Sequence, residues 1–380
     1  MLDRVNYTTF SPMVPAAISG DLEVRHAARS IRRIIKPSGA EFFQAEVTRV
    51  NFDAREVRTD IGSFPYDYLV LAPGSRTAFF GVSGAQENAI DLKGLRDASR
   101  IRNTTIERFE EAERLRGSIP DGLLTFVFVG GGPTGVEGVA DSHDLIFDVL
   151  EEDYPKVDFG RVRLVLINSG NRILPGLDTS LVRAAEWRLD SQRVEVIFNV
   201  KATEVRSDAV VLSDGRIIPT RTIIWAAGVE PPPLVKHLGV PKDLRGRILV
   251  DEFLRVKSRP RVYAVGDSVS MDYEGLLIPA LAPAAEQEGA TAARNLAAEI
   301  EGKVPTAFRY RSLGQLVDLG TSSAVSDVLG VRFSGLLGAI VWRVIHLYEL
   351  RYNQNRVRVL ADWIIDLFSR PDTSKVYKDD

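Results

Sequence analysis

Apolar positions along the chain follow two rhythms. Short runs rich in β-branched residues recur at 66–74, 126–129, 162–167, 194–198, 222–228 and 261–267. Runs this short, bounded by Gly and Pro, predict strands buried on both faces of a parallel sheet. Between and after them lie amphipathic stretches of helical spacing, at 92–115, 138–155, 179–191, 280–301, 333–350 and 356–369. Alternating segments around 41–50 and 55–59, and again at 201–206, 209–213 and 216–219, predict small antiparallel meanders. Residues 1–20 read as loop, and 21–36, with Arg25, Arg29, Arg32, Arg33 and Lys36, as a basic amphipathic helix. Strand alternating with helix predicts the α/β class.

One turn gives this pattern a ligand. The run 126–129 feeds directly into Gly130-x-Gly132-Pro133-Thr134-Gly135. In such a turn Gly130 permits the tight bend, Gly132 lets a pyrophosphate approach the backbone, and Gly135 allows close helix–strand packing. The free N–H groups and positive dipole end of the following helix then hold phosphate. A bare G-x-G-x-x-G is weak, but the strand before it and the helix after it make a dinucleotide site the reading. The strand ends at 72–74 (Ala-Pro-Gly) and 226–228 (Ala-Ala-Gly) share a form, which suggests an internal duplication. The expected fold is therefore two doubly wound, Rossmann-like dinucleotide-binding domains, the first incomplete, followed by C-terminal amphipathic helices.

Composition narrows the chemistry. At 380 residues, 45% apolar and 26% charged, the chain has the make-up of a folded multidomain protein. A net charge of −3 gives no footprint for nucleic acid, so none is expected as a partner. The first residues lack an apolar signal segment, and no run of about 18 uncharged apolar residues predicts a spanning helix. Four His and no Cys leave little material for a metal centre, and none is expected. The absence of Cys also excludes a redox-active disulfide or a sulfide-attacking thiolate.

Several stretches together resemble the type II NADH dehydrogenases, single-subunit NAD(P)H:quinone oxidoreductases of the pyridine-nucleotide flavoprotein superfamily. They are 66–75, Phe79-Phe-Gly81, 130–137, 224–228, Val265-Gly-Asp267, Phe308-Arg-Tyr310, and the tail residues Phe333-Ser-Gly335, Trp342, His346 and Asp362-Trp363. The resemblance runs the length of the chain in order. It implies FAD and NADH or NADPH as cofactors, a quinone as acceptor and no proton pumping. It also implies a peripheral position on the cytoplasmic face of a bacterial or archaeal membrane, and a symmetric homodimer. It divides the chain into 1–115 and 253–330 for FAD, 116–252 for NAD(P)H and 331–380 for membrane association.

Residue by residue, the resemblance implies that Asp3, Ala72, Gly74, Gly266, Asp267 and Ala284 hold FAD. Gly130, Gly132, Pro133, Thr134, Gly135, Asn168, Ala227 and Gly228 would hold the nicotinamide nucleotide. Asp267, just past a strand end, could accept from ribityl hydroxyls, or simply cap a helix. Glu137 could act where flavin meets nicotinamide, or merely gain from the helix dipole. The helix from about 280 would aim its positive end at the flavin ring. Gln287 is the remaining amide of a pair expected to line a quinone pocket. In the tail, Leu336, Ile340, Val344 and Leu347, then Val357, Leu360, Ile364 and Leu367, form apolar stripes interleaved with Arg343, Arg351, Arg356 and Arg358. Such faces suit a membrane interface, or packing on the protein's own core.

Three departures qualify the match. Asn168 stands where an acidic residue usually meets the adenosine ribose; it does not repel a 2′-phosphate, and Ser169 and Arg172 follow, so NADPH use becomes plausible. Pro283 replaces the other expected glutamine. The sequence also starts at the acidic residue that normally ends the first βαβ unit, here Asp3, so about 30 residues carrying the FAD phosphate turn are expected upstream. Either the sequence is a piece of a longer protein, or this is a short chain that holds FAD poorly. Two rival functions stay open: an NAD(P)H–flavin reductase with a non-quinone acceptor, separable by acceptor preference, and a non-catalytic nucleotide-binding fragment, separable by bound flavin.

Overall fold

The computed structural model describes residues 1–115, 118–273, 276–350, 352–366, 368 and 372–375. Arg351 and Leu367 of the expected tail stripes lie outside them. By internal contacts the chain divides into two units, one of 1–8, 29–76 and 229–313, the other of 9–28, 77–228 and 314–380. The divisions expected at 115/116, 252/253 and 330/331 thus differ from those the contacts draw.

The second unit is built on a five-stranded parallel sheet, in the order Ile90–Asp91, Thr222–Trp225, Thr125–Val129, Arg163–Ile167, Val194–Ile197. Its middle strand, Thr-Phe-Val-Phe-Val, is buried at every position, as a strand covered on both faces must be. Helix Pro133–Asp144 leaves that strand through the glycine turn and continues through a wider π turn, Leu145–Leu150, to Glu151–Asp153. Helix Thr179–Ser191 starts where the Asp178 carboxylate accepts from the Ser180 N–H at 2.8 Å. Helix Leu95–Leu115 buries Leu95, Ala98, Ile101, Ile106, Phe109 and Ala112, an inward stripe of helical spacing. The meander Ala202–Val205, Ala209–Leu212, Ile217–Pro219 is present as expected. A second meander, Gly314–Asp318, Ala324–Val328, Val331–Ser334, leads into the tail helices Gly335–Glu349 and Asn353–Asp366. Its strands alternate too weakly and break too often at Gly and Ser to be legible beforehand.

The first unit contains three short parallel pairings: Leu2–Asp3 with Phe43–Gln44, Leu69–Leu71 with Val262–Ala264, and Ile248–Leu249 with Val269–Ser270. An antiparallel meander, Val47–Asn51, Glu56–Thr59, Gly62–Pro65, and the helix Ala282–Ile300 complete it. Its core is centred on Tyr263, Val235, Leu254 and Phe308, all essentially inaccessible.

One expected element is corrected. Residues 21–36 are not one helix but a 3₁₀ turn, Val24–Ala27, a short strand, Ala28–Ser30, and one helical turn, Ile31–Ile35. The chain passes from one unit to the other between residues 28 and 29. Leu22 and Ala27 are buried before that point and Ile31 after it, so a single continuous face cannot serve both cores.

Candidate functional site

The glycine turn of the second unit is a steric necessity at two positions and an opening at a third. Gly130 has φ +124°, and a Cβ there would lie 2.4 Å from the Ala226 carbonyl oxygen. A Cβ on Gly135 would lie 1.9 Å from the Gly130 oxygen. Around Gly132, the residue before the first helical turn, a Cβ would meet nothing within 4 Å. Open space in front of a helix N-terminus is what a pyrophosphate needs. Pro133 is exposed at the start of the helix and Thr134 half-buried beside it. Across the turn, Ala227 and Gly228 follow the Thr222–Trp225 strand, and Gly228, with φ +148°, faces the exposed Phe80 ring. The five glycines and alanines therefore gather at the carboxyl ends of adjacent parallel strands, the place where open α/β sheets bind ligands.

Asn168 follows the Arg163–Ile167 strand, and its amide is fixed by its neighbours. The Nδ2 group donates to the Gly170 and Arg172 carbonyl oxygens, at 3.1 and 2.8 Å. The Oδ1 side lies against Gly131, where a Cβ would sit 2.6 Å away. Arg172 itself donates to the Leu177 carbonyl, while Ser169 is exposed.

Glu137 is buried, and its carboxylate accepts from the Asp318 N–H at 3.2 Å. Burial, reinforced by the nearby Asp318 charge, pushes its carboxyl well above the usual range.

In the first unit, two carboxylates stand at carboxyl ends of parallel strands. Asp3 ends its strand and accepts from the Val5 N–H at 3.0 Å. Asp267 follows Val262–Ala264, half-exposed, and accepts from the Ser75 hydroxyl at 2.5 Å. It caps no helix, because the helix that follows starts at Leu281 and Ala282. Gly74 and Gly266 take φ +66° and +82°, a Cβ on the first meeting nothing within 4 Å and on the second the Ala285 Cβ at 3.8 Å, and the Ser268 hydroxyl donates to the Gly74 oxygen. Ala72 is exposed beside them and Ala284 is buried in the first turn of Ala282–Ile300. Carboxylate acceptors at strand ends, positive-φ glycines without Cβ atoms and a helix N-terminus fit the polyol and ring portions of FAD.

Two findings here were not anticipated. Glu288 is buried, one helical turn after Ala284, and accepts from the Gly266 N–H at 2.5 Å. Burial raises its carboxyl to about 7, the hydrogen bond from Gly266 partly opposing and the Asp267 charge adding to it. Only its inward position on an alanine-rich helix hinted at it. Gln287 clasps the Arg311 peptide at both ends, donating to its oxygen at 2.9 Å and accepting from its N–H at 3.0 Å.

The tail helices show a sharper face than the sequence suggested. Leu336, Leu337, Ile340, Val344 and Tyr348 are exposed on the first, and Val357, Leu360, Ile364 and Ile365 on the second. Leu347 instead packs on the core. Arg343 donates to the Thr321 oxygen and stacks on Trp363, and Arg356 donates to the Leu350 and Tyr348 oxygens. Of the described basic residues in the stripes, Arg358 is exposed and Arg343 and Arg356 are half-buried. Among the described residues no helix is long and apolar enough to cross a membrane.

Residues 2–289 match the model of the pyridine nucleotide-disulphide oxidoreductase family. The chain is 31% identical to a probable NADH dehydrogenase of Dictyostelium discoideum, covering 97% of this chain and 84% of that protein. It is also 31% identical to the internal alternative NAD(P)H-ubiquinone oxidoreductase A1 of Arabidopsis thaliana mitochondria, over 98% and 79%. A type II NADH:quinone oxidoreductase of Mycobacterium tuberculosis is 28% identical over 97% and 82%. The fold matches that of NDH2 from Plasmodium falciparum, solved with NADH, with a TM-score of 0.89 over 98% and 94% of the two chains at 20% identity. The chain belongs to the pyridine nucleotide-disulphide oxidoreductase family, in its type II NADH dehydrogenase branch. The disulphide chemistry in the family's description has no counterpart here, since the sequence has no cysteine.

Proposed function

We propose that the protein is an FAD-dependent NAD(P)H dehydrogenase that reduces a membrane quinone without pumping protons. The observation that carries this reading is the pair of strand-end sites, Gly130–Gly135 with Ala227 and Gly228 in one unit, Asp3, Gly74, Gly266 and Asp267 in the other. Bound FAD would supply the hydride acceptor and the two-electron carrier.

The protein's part is orientation and electrostatics. The Gly130–Gly135 turn and the helix it opens hold the nucleotide's phosphates, and Gly228 admits the nucleotide to the strand ends. Asn168 presents its oxygen to the ribose, its two amide hydrogens being spent on backbone. Asp267 and Asp3 would accept from hydroxyl groups of FAD, while Glu288 fixes the Gly266 peptide that carries Asp267. Glu137, its carboxyl raised by burial and by the Asp318 charge, can give or take a proton at the site. The N-terminus of the Ala282–Ile300 helix, with Ala284, would support the flavin; Pro283 removes one side-chain donor there, and Gln287 holds the Arg311 segment in place.

The exposed apolar faces of the two tail helices suit a lipid surface, into which a quinone is dissolved. The resemblance implies the cytoplasmic face of a bacterial or archaeal membrane as that surface. The family also favours a homodimer. The test follows NAD(P)H consumption by the FAD-loaded chain with a short-chain ubiquinone or with a soluble one-electron dye, in the presence and absence of lipid vesicles. Quinone turnover that rises with vesicles supports the proposal. Dye turnover alone would favour a reductase with a soluble acceptor, and no turnover a nucleotide-binding protein.

A further inference from the structure

The tail helix Asn353–Asp366 walls a cleft of about 470 Å³, together with the 17–25 segment, helix Leu95–Leu115 and residues 372–374, all of the second unit. Its size is that of a small-molecule site, ~300–1,000 Å³. Contacts between these parts hold the walls. Asn355 Nδ2 donates to the His26 and Ala28 carbonyl oxygens at 2.7 and 3.2 Å, and His26 Nδ1 lies 2.5 Å from Asp362 Oδ2. Arg102, half-buried on the long helix, donates to the Ile18, Ser19 and Asp372 carbonyl oxygens.

The lining carries charge of both signs. Arg25 and Arg102 stand on it against Glu23, Asp362 and Asp372. The hydrogen bonds of Arg102 all go to neutral carbonyl groups and use three of its five N–H groups, so an anionic oxygen can still be received. Burial lowers its guanidinium from the usual value, with the Asp372, Asp21 and Glu23 charges opposing, as befits a cation short of compensating charge. A ligand with negative charge alone would meet three carboxylates, and one with positive charge alone two guanidinium groups. A zwitterion satisfies both. No aromatic ring lines the cleft among the described residues, so nothing there suits a quaternary ammonium, which ring faces hold best. A primary ammonium, with three N–H donors, suits carboxylates instead.

The cleft also adjoins an apolar surface. Ile365, on its lining, is exposed and stands beside Ile364 on the tail helix, whose exposed face includes Val357 and Leu360. A molecule seated on the charged walls could therefore continue along that face.

We propose that this cleft binds the headgroup of a phosphatidylethanolamine-type lipid, its phosphate on Arg102 and Arg25, its ammonium on Glu23 and Asp372, and its acyl chains passing Ile365 into the bilayer. The inference rests on the reading of the tail helices as a membrane-facing surface. The apolar faces supply attachment, and the cleft supplies the choice of headgroup.

The test measures binding of the FAD-loaded full chain to vesicles of phosphatidylcholine alone, of phosphatidylcholine with phosphatidylethanolamine, and of phosphatidylcholine with phosphatidylglycerol. The wild type should bind the ethanolamine-containing vesicles roughly fivefold or more tighter than the other two. Arg102→Gln and Glu23→Gln should each lose that preference while binding phosphatidylcholine vesicles and reducing a soluble dye as the wild type does. Excess soluble glycerophosphoethanolamine should also erase the preference. Equal binding to all three vesicles, or tighter binding to phosphatidylglycerol, would overturn the headgroup site and leave the membrane reading standing. A preference for ethanolamine lipid that both variants keep would reflect lipid packing and overturn it too. A wild type that binds no vesicle would overturn the membrane reading itself. Where Arg102→Gln fails to fold, Glu23→Gln, at an exposed position, decides.

Discussion

At the scale of single residues, the glycine turn was the most legible part of the chain because its spacing is a backbone requirement. Gly135→Ala would place a methyl group 1.9 Å from the Gly130 oxygen. The expected outcome is a loss of about 2–4 kcal/mol in stability and failure to take hydride from NAD(P)H, read by melting and by single-turnover reduction. The sequence also singled out Asn168, but its hydrogen bonds to Gly170 and Arg172 depend on a loop shape no motif encodes. Asn168→Asp adds a negative charge where a 2′-phosphate would lie. It should lower kcat/KM with NADPH by roughly tenfold more than with NADH, both falling because Asp cannot donate to the Gly170 and Arg172 oxygens. Glu288 was invisible because its partner, Gly266, lies 22 residues away across a tertiary contact. Its carboxyl is raised to about 7 in the fold, so the stability it contributes is complete below about 4.5 and is lost as the pH rises through about 7. Glu288→Gln should therefore melt higher than the wild type at pH 8, by the equivalent of about 1–3 kcal/mol, and differ little at pH 4.5. Equal shifts at both pH values would contradict this origin.

At the scale of elements, helices and buried parallel strands were read nearly to their ends, because each carries a full period of its own pattern. The Thr179–Ser191 helix and the strands around it are examples. The 21–36 segment was misread because its helical spacing is real, yet its apolar residues serve two different units. The 314–334 meander was missed because its pairing is set by tertiary packing rather than by strong alternation. In the tail, the apolar stripe was legible, whereas the contacts of its basic residues were not: Arg343 and Arg356 donate to carbonyl oxygens. Membrane attachment should thus depend on apolar area more than on lipid charge. Paired Ile340→Glu and Ile364→Glu substitutions, at exposed positions, should reduce vesicle binding roughly tenfold or more and spare dye reduction. Neutral and anionic vesicles should bind the wild type within about an order of magnitude of each other. Strong dependence on anionic lipid would contradict the apolar account.

At the scale of the whole molecule, two units each present strand ends and a helix N-terminus suited to a dinucleotide, in one family with the type II NADH dehydrogenases. This duplication was legible because the strands at 66–74 and 222–228 end alike. The buried acids were not, because Glu137 and Asp318 are 181 residues apart in sequence and meet only in the fold. The central claim is that electrons enter from NAD(P)H and leave to quinone through FAD held by this chain. The most direct measurement is the absorbance of the purified FAD-loaded protein under anaerobic conditions, with NADH or NADPH added first and a short-chain quinone second. The account predicts a yellow protein that bleaches with the nucleotide and regains its colour with one equivalent of quinone. A protein that retains no FAD, or one that bleaches and stays bleached when quinone is added, would contradict it.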